Sequence, residues 1–304
     1  MPGSVSVVTS IDAARAARRL GVALRRAPLW VEVGVIIAFY VGYAVVQGAA
    51  PTDPDEATAH GMAIWQLEQE VGLAPEHWLN QLAVGNVLVA QFAGWFYGIA
   101  HFVLTPVVLG WLYLRRAHLY GRWRTTLAIA SLVALAIYWV YPVAPPRLLD
   151  TIGLQDVLVE HNILSAADPH GPSAFVNLYA AMPSLHVAWA TWCAMAVRAT
   201  VTGHRTLTRL VWLYPVMTSL VVFVTANHYL LDAVAGALLV IAVGLVVERF
   251  AGVMSIWQAR HEGRHVDGQP VRLLPQHQVS RVLVDDEAGD RDGRSESILL
   301  RPRQ

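Results

Sequence analysis

His228 and Asp232 stand four residues apart in Asn227-His228-Tyr229-Leu230-Leu231-Asp232, and Asp232 carries the sole charge between Arg209 and Glu248. At helical spacing the two side chains share a face, one turn apart. A carboxylate placed there can hold an imidazole in one tautomer and stabilise the imidazolium. The plainer reading of the same residues is a polar cap, because Asn227 and Asp232 lie near the start of an apolar helix, where acceptors are welcome. A second imidazole, His186, follows Pro183 and Ser184. Proline suits a first helical position, which puts Ser184 and His186 in an opening turn whose free N–H groups fit a phosphate. Arg147 follows Pro145-Pro146. Its guanidinium fork matches phosphate oxygens, although an arginine at that depth also serves as a headgroup anchor.

Two imidazoles, a carboxylate, a guanidinium and a helix N-terminus make a phosphoryl-transfer set. A His paired with Asp is a nucleophile that can carry a phosphoryl group. A second His can protonate the leaving alkoxide. The Arg and backbone N–H groups stabilise the equatorial oxygens in transit. Other chemistries fit less of the set. A Ser–His–Asp hydrolase built on Ser184 lacks a G-x-S-x-G elbow. A metal site is short of carboxylates and histidines, so no metal or organic cofactor is expected. Two readings from other classes stay open: a transporter or scaffold with a His/Asp proton relay, and a metal- or haem-binding protein using His101, His186 and His228.

These groups must be held by membrane helices. The chain has 304 residues, 55% hydrophobic and 14% charged, with a mean hydropathy of +0.44; a soluble domain carries about 25% charged residues. Six apolar runs approach the ~20 residues of a bilayer crossing: 33–48, 92–114, 125–141, 183–199, 210–226 and 229–247. Arginines cluster before the first run (Arg15, Arg18, Arg19, Arg25, Arg26), between the second and third (Arg115, Arg116, Arg122, Arg124) and between the fourth and fifth (Arg198, Arg205, Arg209). The positive-inside rule makes these segments cytoplasmic, together with both termini. The segment before the second run carries Asp53, Asp55, Glu56, Glu68, Glu70 and Glu76 and no arginine. Within it, 62–73 reads as an amphipathic helix on the outer membrane surface. The segment before the fourth run carries Asp150, Asp156, Glu160 and Asp168, with Arg147 as its one basic residue. His186, His228, Asp232 and Arg147 therefore fall at one extracytoplasmic level. The chain divides into a basic cytoplasmic segment 1–28, a membrane domain 29–252, and a polar tail 253–304 expected to be disordered from about residue 255.

Zero net charge leaves no nucleic-acid footprint, and no protein partner is expected. Cys193, the single cysteine, lies in an apolar run and reads as a small buried hydrophobe. All 22 basic residues are arginine, a bias that points to a GC-rich bacterial genome and a bacterial plasma membrane.

Pro183-Ser184-Leu185-His186 resembles the P-S-x-H motif of the type 2 phosphatidic acid phosphatase (PAP2) superfamily, and His228-Tyr229-Leu230-Leu231-Asp232 with Gly236 resembles its H-x-x-x-D motif. Arg147 corresponds to the arginine of its first motif. The resemblance covers about 33–247 and implies an all-α, six-span bundle of the PAP2/chloroperoxidase-like type. It further implies His228 as nucleophile, Asp232 as its orienter and His186 as acid/base. The family's phosphatases carry P-S-G-H, an arginine six residues before the second His and a lysine seven before the first-motif arginine. Leu185, Val222 and Val140 stand at those positions. The P-S-L-H and H-Y-x-x-D forms are more similar to the inositol phosphorylceramide synthase branch, which transfers a phospho-headgroup between lipids. With two cations replaced, Arg147 and Ser184 are the expected phosphate-binding residues, with His101, Asn227 and Tyr229 in support. The expected substrate is a phospholipid or a polyprenyl phosphate in the bilayer.

Overall fold

The computed structural model describes residues 27–49, 53–163, 177–262, 265–266 and 269–270. Ten α-helices are present among them: α1 Leu29–Ala49, α2 Pro54–Glu70, α3 Glu76–Val84, α4 Val87–Arg115, α5 Ala117–Val140, α6 Val157–Glu160, α7 Leu185–Thr200, α8 Arg205–Leu210, α9 Leu213–Val224 and α10 Leu230–Glu262. The arginines of 1–26, Asp168 and residues 271–304 lie outside the described residues. The chain divides into two compact units, Met1–Met254 and Ser255–Gln304. α10 is described as far as Glu262, and most of the tail expected to be disordered lies outside the described residues. A two-residue antiparallel pairing, His265–Val266 with Gln269–Pro270, follows.

Four helical segments are long and apolar enough to cross a bilayer: Val87–Arg115, Ala117–Val140, Arg205–Val224 and Leu230–Val253. Their outer faces carry Leu88, Phe92, Phe102, Val103, Leu213, Val216, Leu238 and Leu245, all exposed. Apolar surface on this scale belongs against lipid rather than water. The two other expected spans lie on α1 and α7. The run 33–48 lies within α1, a helix of 21 residues. The run 183–199 is α7, only 16 residues long, or about 24 Å at ~1.5 Å per residue against a core of roughly 30 Å.

α7 is an interior helix. It packs against α4, α5 and α9, and eleven of its residues are buried. The buried indoles are satisfied: Trp192 Nε1 donates to the Trp123 carbonyl at 2.9 Å and Trp189 Nε1 to Ser131 Oγ at 2.9 Å. Cys193 is buried here, 3.9 Å from Thr105 Oγ1. At the opposite end from the histidines, buried Glu32 ties α1 to α5, accepting from Tyr120 Oη at 3.0 Å and pairing with Arg124.

The segment expected as a surface helix over 62–73 is part of α2. Asp53 caps it, its carboxylate accepting from the N–H groups of Asp55 and Glu56. Its inward stripe is Ala57, Gly61, Ile64 and Glu68, so a charged residue occupies a position of helical period otherwise filled by small and apolar ones. Val71 is the C-cap of this helix and is 60% exposed.

Candidate active site

Three connecting segments form the site, and backbone hydrogen bonds stitch them together. Val143 pairs with Ala180, its N–H donating to the Tyr179 carbonyl at 2.8 Å. Ala144 N donates to the Ala57 carbonyl at 2.9 Å, and Arg147 N to the Ala226 carbonyl at 3.0 Å. Ser184 N donates to the carbonyl of Asp232 at 2.9 Å, which joins the Pro-Ser-Leu-His turn directly to the His-x-x-x-Asp turn. Tyr138 Oη, from α5, donates to the Pro183 carbonyl at 2.5 Å.

Gly236 makes this junction possible. A Cβ there would lie 2.2 Å from the Ser184 carbonyl oxygen and 3.1 Å from its carbon. The obstacle is backbone, which cannot swing aside. Gly236→Ala is expected to destabilise the fold by about 3 kcal/mol or more and to lower activity with it; an unchanged melting temperature would refute this account of the contact.

His228 does not sit on the α10 helical face as its spacing to Asp232 implied. α9 ends in a Schellman turn, with Ala226 N donating to the Phe223 carbonyl at 2.9 Å and Asn227 N to that of Val222 at 3.0 Å. Ala226 holds the left-handed conformation this turn requires, at φ 50°. His228 follows at once, two residues ahead of α10. The cap and the His–Asp pair, alternatives in the sequence, are one structure: Asp232 Oδ2 accepts from Tyr229 N at 3.0 Å and faces His228 Nδ1 at 3.3 Å. That backbone contact is the return half of a capping box.

His228 Nδ1 also lies 2.8 Å from the Ala181 carbonyl. A carbonyl only accepts, so Nδ1 carries the proton and Nε2 keeps its lone pair. His228 is 4% exposed and Asp232 is fully buried. His186 stands in the first turn of α7, its ring 5.6 Å from that of His228, stacked on Tyr97 at 4.3 Å and edge-on to His101 at 4.4 Å.

Arg147 Nε donates to Asn227 Oδ1 at 2.8 Å, and Nη1 pairs with Asp156 at 3.4 Å. Asn227 Nδ2 donates in turn to the Thr225 carbonyl at 3.1 Å. Arg147, His186, His228, Asn227, Tyr97 and Tyr138 line one pocket of about 80 Å³. A water needs roughly 10–15 Å³ by this measure, so the pocket has room for about five waters, the scale of a phosphoryl group.

The remaining expected residues are placed around this pocket. Ser184 is fully buried and caps α7, its Oγ accepting from Val187 N at 3.4 Å; it does not line the pocket. Tyr229 is also fully buried, and its hydroxyl donates to the Ala144 carbonyl at 2.9 Å. Val222, at the position of an expected arginine, is buried and lines a small void of about 10 Å³ beside His101 and His186. Val140 is 75% exposed.

Sequence reasoning passed over four neighbours. Tyr97 stacks on His186; its spacing of one turn from His101 was the available signal. Asn80 ties α3 to the segment before α6 and to the end of α9, donating to the carbonyls of Gln155 and Val224 at 3.0 Å each. Glu68 and Glu76, read as outer-surface charge, are buried and accept from the N–H groups of Leu231 at 2.7 Å and Leu230 at 2.5 Å.

A family model described as the PAP2 superfamily matches residues 62–246, from within α2 to within α10. No curated protein and no solved structure matches the chain.

Proposed function

The chain belongs to the PAP2 superfamily, whose members are phosphatases or phosphotransferases, and from that premise we propose that it transfers a phospho-headgroup between lipids through a covalent adduct on His228. The observation that carries the reading is the pocket itself. His228 reaches it with Nδ1 already committed to Ala181 and Asp232, so Nε2 is the atom left for substrate, with His186 and Arg147 on the same walls.

The steps balance with the residues at hand. The Nε2 lone pair attacks phosphorus, and the bond from phosphorus to the lipid alkoxide breaks. His186, protonated once the anionic phosphate lies beside it, gives its proton to that leaving oxygen. His186, now neutral, takes a proton from the incoming hydroxyl, whose oxygen attacks phosphorus and expels Nε2. Nδ1–H is held throughout, and Asp232 offsets the positive charge the imidazole gains. Arg147 faces the phosphoryl oxygens, oriented by Asn227. Ser184 contributes through the start of α7 and His101 through its contact with His186.

The replacement of two family cations by Val140 and Val222, together with Pro-Ser-Leu-His and His-Tyr-x-x-Asp, favours a headgroup such as inositol phosphate over a bare phosphate monoester. A diester carries one charge fewer at the reacting group and needs fewer cations. The arginine distribution favours six crossings, cytoplasmic termini and an extracytoplasmic site in a bacterial plasma membrane.

The test is lipid product analysis by mass spectrometry, with and without an added acceptor lipid that bears a free hydroxyl, on wild type and His186→Ala. The expected result is a product lipid that retains phosphorus, vanadate inhibition and an acid-labile phosphorus–enzyme adduct. Release of inorganic phosphate alone would replace transfer by hydrolysis. Proton coupling or transport with no phosphorus chemistry would favour the relay reading.

A further inference from the structure

Glu68 on α2 and Glu76 on α3 are both buried, at 1% and 0% exposure. Both point at the first turn of α10. Glu68 Oε1 accepts from Leu231 N and Glu76 Oε1 from Leu230 N, while Asp232 Oδ2 takes Tyr229 N. Three carboxylates thus answer three successive N–H groups of one helix start, groups that otherwise lack partners. The helix end next to His228 is therefore closed to phosphate and held from both α2 and α3.

Each glutamate keeps a second oxygen, Oε2, that is buried and meets no protein donor. Two ionised carboxylates can only accept, so they cannot satisfy each other. One proton between them supplies the missing donor. The geometry points to Glu68 and Glu76 as a single-proton carboxyl pair that positions the first turn of α10, and through it His228 and Asp232. For catalysis this rests on the reading above; the proton itself does not.

The electrostatics agree. Burial pushes the Glu68 carboxyl up to about 8; the Leu231 N–H opposes the shift, and the charges of Glu76 and Asp232 add to it. Burial likewise raises Glu76, as does Asp232, against the pull of backbone N–H groups and of Glu68. The titratable groups acting here are Glu68, Glu76, Asp232 and the Tyr229 phenol, with His228 behind Asp232. Because the folded carboxyl binds its proton more tightly than the unfolded one, stability falls as pH rises from about 4.5 to about 8. Full ionisation then sets a second negative charge of the pair beside Asp232.

Infrared spectroscopy of the full-length protein in detergent tests the proton without any assay of turnover. A protonated-carboxyl stretch is expected at pH 7, bleaching with a midpoint near 8. It should be absent from both Glu68→Gln and Glu76→Gln, where the amide becomes the donor. Melting temperature should fall between pH 5 and pH 8 in wild type, and this slope should flatten in either Gln variant. No such band in wild type, or a band that survives in both variants, overturns the pair. Turnover tests the positioning role. Either Ala variant should lose kcat by about 10- to 100-fold with KM little changed, and the Gln variants should recover most of it and shift the alkaline limb to higher pH. An alkaline limb identical in wild type and both Gln variants overturns the role. A wild type that shows the band but turns over no lipid phosphate leaves the pair standing and removes the functional reading instead.

Discussion

His228→Ala is expected to lower turnover of the lipid substrate by at least about 10⁴-fold, the scale seen when a covalent nucleophile is removed. The pocket offers no second atom for the task. His186 is the other imidazole on its walls, and its place in the mechanism is across the phosphoryl group, at the leaving oxygen. The variant should also fail to retain phosphorus when quenched under alkaline conditions. Asp232→Asn in the same experiment should cost less, about 10²-fold, than a substitution that leaves the wrong tautomer, which costs ~10⁴ in a serine hydrolase triad. The difference comes from Ala181, whose carbonyl fixes the Nδ1 proton whether or not the carboxylate is charged. Wild-type turnover in His228→Ala, or an adduct of undiminished yield, would sink the assignment of the nucleophile.

The second large effect belongs to His186. His186→Ala is expected to slow the reaction by about 10²- to 10⁴-fold on natural lipids, whose alkoxide leaves poorly without a proton. The loss should shrink sharply with an aryl phosphate ester, because a phenolate leaves unaided. Adduct formation on His228 should then survive while its breakdown stays slow, since the same imidazole deprotonates the acceptor. Equal losses on lipid and aryl substrates would place His186 in binding rather than proton transfer. Ring contacts with Tyr97 and His101 give the imidazole its orientation, so the substitution removes a fixed group and not a mobile one.

Parts of this arrangement were readable along the chain because they depend on short spacings. Apolar runs of span length, the arginine clusters and the pairing of His228 with Asp232 are local facts. They sufficed for a helical membrane protein and for the residues that meet at the pocket: Arg147, His186, Asn227 and His228. Gly236 was legible as a motif position, but its reason, a backbone 2.2 Å from where a Cβ would be, was not.

Tertiary structure decided what spacing cannot encode. The turn at Ala226 puts His228 outside the helix, so the His–Asp contact runs through a helix cap rather than along a helix face. α7 is buried because neighbours surround it, a matter of its place in the fold and not of an apolar composition that the lipid-facing helices share. The acidic segment before α4 shows the divide most clearly. Charge counting assigned Glu68 and Glu76 to an outer surface, because a carboxylate far from any cation is normally solvated. Folding brings both to the start of α10, more than 150 residues away in sequence. There the partners are backbone N–H groups, which every residue but proline carries and no sequence pattern marks. The residue types and local periods fixed which groups exist and on which helices. Only the packing of α2 and α3 on α10 decided which of the acids were surface charge and which support the histidines.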